Sequence, residues 1–98
     1  MGRLRSELDN KIAAYRGAFG LSQEQLARAA NVSRQTIVAL EGGTYSPSTV
    51  LALRLSFLLG VTVNELFVLP EHAISELQQQ RQSINEVREK LRQGFLLS

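Results

Sequence analysis

Residues 21–43, Leu-Ser-Gln-Glu-Gln-Leu-Ala-Arg-Ala-Ala-Asn-Val-Ser-Arg-Gln-Thr-Ile-Val-Ala-Leu-Glu-Gly-Gly, constrain the fold more than any other stretch of this 98-residue chain. They hold two short helical segments joined by a tight turn, and each segment opens on a serine. Ser22 is followed three residues later by Gln25, the spacing of a capping box, in which side chain and backbone satisfy each other's orphan groups. Ser33 opens the second segment in the same way and crowds Arg34, Gln35 and Thr36 into its first turn. Helices of eight or nine residues do not persist alone in water. Each must bury an apolar face: Leu26, Ala27 and Ala30 on the first, Ile37 and Leu40 on the second. Asn31-Val32 makes the turn, with Val32 as an apolar plug, and Gly42-Gly43 ends the second helix.

The flanking sequence supplies the remaining helices of an all-α fold. Leu4, Leu8, Ile12, Tyr15 and Phe19 recur every three or four residues, predicting one continuous first helix that Gly20 stops. After the loop Thr44-Tyr45-Ser46-Pro47, Ser48 caps a fourth helix that runs to Leu59 and is closed by Gly60. Thr62-Val63-Asn64-Glu65 is a second capping box, opening a short fifth helix through Phe67. Pro70 breaks the chain. Residues 71–93 read as a polar, glutamine-rich and charged helix, followed by Gly94 and the apolar end Phe95-Leu96-Leu97. The expected division is therefore a five-helix unit over residues 1–69 and a helical extension over 70–98.

Composition narrows the chemistry. A chain of this size buries one modest core and encloses no large substrate cavity. There is no cysteine, hence no disulfide framework or thiol chemistry. No apolar run reaches the roughly 18–20 residues of a membrane span, and the first residues lack a signal-peptide core, so a soluble cytoplasmic protein is expected. The net charge of +2 is carried by residues 1–70, with seven Lys/Arg against five Asp/Glu, while the last 28 residues balance at four against four. The basic excess lies where counter-charge for phosphate would be needed. His72, the only histidine, stands in the polar tail beside Glu71 and Glu76 and reads as a surface residue. Neither zinc spacing nor a Gly-rich phosphate loop is present, and the serines sit at caps without a histidine to activate them. No metal, cofactor or enzymatic activity is expected.

Residues 8–67 resemble the phage repressor/Cro-type helix-turn-helix regulators. The resemblance rests on Gly20-Leu21-Ser22-Gln23, Leu26-Ala27, Val32-Ser33-Arg34-Gln35-Thr36-Ile37, Leu40-Glu41, Tyr45-Ser46-Pro47-Ser48 and Leu59-Gly60-Val61. It implies a sequence-specific regulator that binds double-stranded DNA, with Arg34 and Gln35 as base readers and position 39 as a further contact. The chemistry agrees independently. An arginine fork donates two hydrogen bonds to guanine, and a glutamine amide pairs with adenine. Val38 and Ala39 stand where the family often carries polar groups, which suits contact with a thymine methyl. Gln23, Ser33, Thr36, Thr44 and Tyr45, at helix starts and in the following loop, suit phosphate. Arg16 and Glu41 match positions where the family often pairs an arginine with a glutamate, so an ion pair is expected, with Arg16 also within reach of a phosphate. Arg3 and Arg5 are open to two readings, a phosphate-contacting arm or a solvated helix start.

The fourth helix is more apolar than a solitary unit needs. Beyond its inward face of Ala52, Leu55, Ser56 and Leu59, a second stripe of Val50, Leu53 and Phe57 stands where family members commonly show charges. The tail offers Ile74 and then Leu77, Ile84 and Leu91, seven apart as in a coiled-coil seam, which Arg81 and Arg88 interrupt. Two uses for these surfaces follow. The tail packs on the fourth helix of its own or a sister subunit and makes a homodimer that reads a palindrome, or it completes the monomer's core. An alternative of a different class is an antitoxin-like or anti-repressor protein whose tail binds a protein partner. Repression and activation are not distinguished at this level.

Overall fold

The computed structural model describes residues 8–97, the last three by their backbone alone. In chain order the elements are β1 (Asp9–Asn10), α1 (Ile12–Ala18), α2 (Gln23–Ala30), α3 (Arg34–Glu41), α4 (Thr49–Leu59), α5 (Val63–Leu66), β2 (Phe67–Val68) and α6 (Glu71–Leu97). The starts of α2, α3, α4 and α5 coincide with hydroxyl caps, whereas α1 starts after Lys11 without a side-chain cap. Ser22 and Thr62 form complete capping boxes with Gln25 and Glu65, and Ser33 and Ser48 accept from the N–H groups of Thr36 and Leu51. Each such cap is worth about 1 kcal/mol, a large share of what holds an eight-residue helix in place.

The helices meet around one core. Ile12, Leu26, Ile37, Leu40, Leu55, Leu59 and Leu66 are wholly buried, with Ala27, Ala30, Leu51, Ala52 and Phe67 completing the cluster. Burial of each large side chain contributes about 1.5–3 kcal/mol. Between α2 and α3 the chain reverses at Asn31, which sits at φ 60° and is the one non-glycine residue in the left-handed region among those described. Asparagine tolerates that conformation better than other side chains. Val32 N–H then returns to Ala27 O at 2.9 Å, and the Val32 side chain packs on the core. On α4 the inward face is Leu51, Ala52, Leu55 and Leu59, while the Ser56 hydroxyl donates to the Val61 carbonyl.

The structure corrects the expected first helix. Leu4 lies outside the described residues, as do Arg3 and Arg5, and α1 begins only at Ile12. Asp9 and Asn10 instead form β1, antiparallel to β2 with Asp9 opposite Val68 and Asn10 opposite Phe67. Lys11 N–H adds a bond to Leu66 O at 2.9 Å. The reason is the Asn10 side chain, which accepts from Ile12 N–H at 3.2 Å and donates to Leu40 O at 2.7 Å. Asp and Asn compete with helical backbone through such local bonds, so the helix starts after them. Phe19 falls beyond the end of α1 and is exposed. Phe67 leaves α5 as extended chain rather than continuing it.

The extension differs too. Gly94 does not end α6, which continues to Leu97. Glycine inside a helix costs only about 1 kcal/mol and does not forbid it. Among the described residues, every member of the buried cluster lies between Ile12 and Phe67, so the described side chains of α6 do not complete the core of their own chain. Ile74, Leu77, Ile84, Val87 and Leu91 are exposed along it.

Candidate nucleic-acid interface

Helix α3 presents its first turn outward because its core-facing residues, Ile37 and Leu40, leave positions 34, 35 and 38 on the opposite side. Arg34, Gln35 and Val38 are exposed, and Ala39 is half-buried. With Gly42 and Thr44 these four line one shallow concave surface. Thr44 is held at its rim by its hydroxyl, which donates to Ala39 O at 3.3 Å. Tyr45 follows, also exposed. At the helix start the Ser33 hydroxyl accepts from Thr36 N–H at 3.2 Å and shares a 2.9 Å hydrogen bond with the Thr36 hydroxyl. Both hydroxyls are thus partly spent on capping. The first-turn N–H groups of an α-helix have no intrahelical partner and carry the positive end of its dipole.

Behind that surface four residues from three helices form a continuous chain of hydrogen bonds. Arg34 Nη2 donates to Gln23 Oε1 at 3.3 Å, and Gln23 Nε2 donates to Glu41 Oε1 at 3.0 Å. Glu41 receives Arg16 through both oxygens, Nε to Oε2 at 2.7 Å and Nη2 to Oε1 at 3.1 Å. Arg16 Nη1 donates in turn to Leu21 O at 2.8 Å, at the entry to α2. The fork geometry fixes the angle between α1 and α3, and the Gln23 amide is oriented because one end must accept and the other donate. Arg16, with Nε, Nη1 and Nη2 each engaged, is chiefly occupied within the protein. Arg34 makes no ion pair among the described residues, so its full charge faces outward.

The Glu41 carboxyl is held below the usual carboxylate range. Burial alone would push it up, and the hydrogen bonds from Arg16 and Gln23, with the arginine's charge, outweigh that. A folded-state pKa below the unfolded one stabilises the fold fully above the unfolded value of about 4.3 and is lost as pH falls through the folded value. The wild-type urea midpoint is therefore expected to hold from pH 7 to about 5 as far as this group is concerned, then fall below about pH 4. Glu41→Gln should flatten that acid limb, as a series of denaturation curves would show.

Sequence reasoning treated Gln23, Arg34 and the Arg16–Glu41 pair as separate features; the structure brings them into one network. It missed Asn10, which holds the last turn of α3 through the Leu40 carbonyl. The adjacent helix-poor residues Asp9 and Asn10 were the available signal. Val50, Leu53 and Phe57 are exposed on α4, where Val50, Leu53, Phe57 and Leu58 face a groove shared with Ala29, Ala30 and Asn31. They do not pack against α6 of the same chain, whose stripe is itself exposed. His72 is exposed, and no group of three potential metal ligands occurs among the described residues. No described helix is long and apolar enough to cross a membrane.

Two capped helices at a tight turn, with an unpaired arginine and a glutamine on the outward first turn of the second, define a helix-turn-helix DNA reader. Residues 12–66 match the helix-turn-helix family, and the chain belongs to its Cro/C1 type, a family of DNA-binding transcriptional regulators rather than enzymes. Among its relatives, an HTH-type transcriptional regulator of Methanocaldococcus jannaschii is 43% identical over 61 residues, 62% of this chain and 92% of that one. Another from Methanothermobacter thermautotrophicus is 48% identical over 61 residues, 61% and 88% of the two chains. Among solved structures, the restriction-modification controller protein C.AhdI from Aeromonas hydrophila is similar with a TM-score of 0.55 at 35% identity, covering 58% of this chain and 86% of that one. The clp gene regulator ClgR from Corynebacterium glutamicum gives 0.53 at 30% identity, covering 80% and 82%.

Proposed function

We propose that this DNA-binding regulator reads a palindromic operator as a homodimer and represses by occluding it. The observation that carries the reading is the outward surface of α3, backed by the network that runs from Arg34 to Arg16. In it Arg34 addresses guanine, Gln35 addresses adenine, and Val38 and Ala39 meet thymine methyls. Gln23, Ser33, Thr36, Thr44 and Tyr45 contact phosphate, and Arg16 contributes there only through what its internal bonds leave free. One such helix reads a few base pairs. Two of them about 34 Å apart would read two half-sites of one palindrome.

Pairing needs a surface, and the exposed apolar stripes of α4 (Val50, Leu53, Phe57) and α6 (Ile74, Leu77, Ile84, Leu91) supply it. Stripes of this kind mark association sites. The division of labour is then DNA reading by residues 1–69 and pairing by residues 70–98 together with α4. Occlusion is the economical mode of action, because it requires only that a bound dimer cover the site, which fits a cytoplasmic regulator. The same α6 stripe also favours a second reading, an antitoxin-like protein whose tail holds a different protein. A second small protein co-purifying through α6 would support that instead.

The test is selection of bound duplexes from a random DNA library at physiological salt. A two-fold symmetric motif with half-sites about 10 base pairs apart is expected. Salt-sensitive binding without any motif would overturn the reading.

A further inference from the structure

We propose that the occupant of the α6 stripe is α6 of a second copy, paired in parallel and in register as a short coiled coil. This rests on the homodimer reading and specifies its contact. At 27 residues α6 is about 40 Å long. Along it Leu77 is 52% exposed, Ile84 64%, Val87 58% and Leu91 60%. If these leucines and the isoleucine are placed at heptad position a, position d holds Ala73, Gln80, Val87 and Gly94. That seam carries no charge over three heptads. Arg81 and Arg88 then flank it at position e, where long basic side chains lie along the edge of a coiled coil. The other register would bury both arginines at position a without a partner, a cost of several kcal/mol per ion.

Charge and the Gln80 amide together decide the direction. In a parallel pair each g residue faces the e residue five positions on in its partner. The one such pair with charge on both sides is Glu76 with Arg81 of the second copy, which is attractive and occurs twice. An antiparallel pair that sets Ile84 against Val87 of the second copy would instead place Arg81 against Arg88 twice, with no attraction to offset it. One that sets Ile84 against Gln80 would gain two Glu76–Lys90 pairs but place Arg81 against its own twin and press each Gln80 amide on an isoleucine. Register is set by Gln80, whose amide meets its own twin in the parallel alignment and an apolar side chain in any slipped one. Parallel pairing also puts both Pro70 residues at one end, so the two DNA-reading units emerge side by side about the pair's two-fold axis.

The absence of cysteine makes the test direct. In the full chain, Val87→Cys is expected to form an intermolecular disulfide under mild oxidation, because in-register d positions approach within disulfide reach. Glu89→Cys, on the opposite face, is expected to form none. Arg81→Glu sets two glutamates together and should raise the dimer dissociation constant about five-fold, and the swap Glu76→Arg/Arg81→Glu should restore it. A dimer that persists while Val87→Cys stays unlinked, or that Arg81→Glu tightens, would overturn the parallel α6 contact and leave the homodimer standing. Wild type sedimenting as a monomer, both free and on its selected duplex, would overturn the homodimer itself.

Discussion

Replacing Arg34 and Gln35 together by alanine is expected to abolish preference for the selected operator and to leave the fold intact. Each bidentate contact to a base discriminates by about 1–3 kcal/mol. A dimer presents two copies of each, so operator affinity should fall by at least about a hundred-fold. Binding to unrelated duplex should change little, because phosphate contacts supply that part and lie on other residues. Both side chains are exposed, and among the described residues the one side-chain bond lost is the 3.3 Å contact to Gln23. Competition of operator against scrambled duplex at one fixed salt concentration reads the effect, with the urea midpoint as the check on folding. A double variant that retains operator preference would move specificity away from the first turn of α3.

Glu41→Ala acts at the other end of the same network and is expected to cost about 2–4 kcal/mol of stability. The Arg16 and Glu41 side chains are only 20% and 9% exposed, so removing the carboxylate leaves a poorly solvated guanidinium without its partner. It also releases Gln23, and through it the resting position of Arg34. For a small domain whose total stability is of the order of 5 kcal/mol, the variant sits near unfolding at room temperature. Arg28→Ala provides the contrast. Its pair with Glu24 is 3.5 Å apart with side chains 83% and 70% exposed, and its loss should stay within about 0.5 kcal/mol. Equal and small losses in the two variants would remove the ion pair as the element that sets the helix orientation.

What was legible in the sequence was mostly local. Ser22, Ser33, Ser48 and Thr62 each cap through an N–H three residues away, so residue type and spacing together place the helix starts. The inward faces of α2 and α3 followed from helical periodicity for the same reason. Leu8 was misassigned because its distance from Ile12 fits a helical stripe equally well. What separates them, the Asn10 side chain, acts through Leu40, thirty residues away. Two-residue strands carry no periodicity at all, so β1 and β2 were invisible. The Arg16–Glu41 pairing came from family resemblance, whereas the role of Gln23 depends on partners 11 and 18 positions distant that no spacing rule connects. For α6 the apolar stripe was plain, but a stripe does not state what covers it.

The small strand pair sets how much of the chain must exist before the fold can close. Turns and caps of α2 and α3 can form as soon as those residues leave the ribosome, whereas Asp9 must wait for Val68, 59 positions later. Ile12 is buried in a core that includes Leu66 and Phe67, beside the strand pair and the Lys11–Leu66 bond. A piece cut at the last matched family residue, Leu66, would keep every helix of the DNA-reading unit and lose its clasp. The smallest autonomous version of this protein therefore ends no earlier than Val68, two residues past the last one the family match covers.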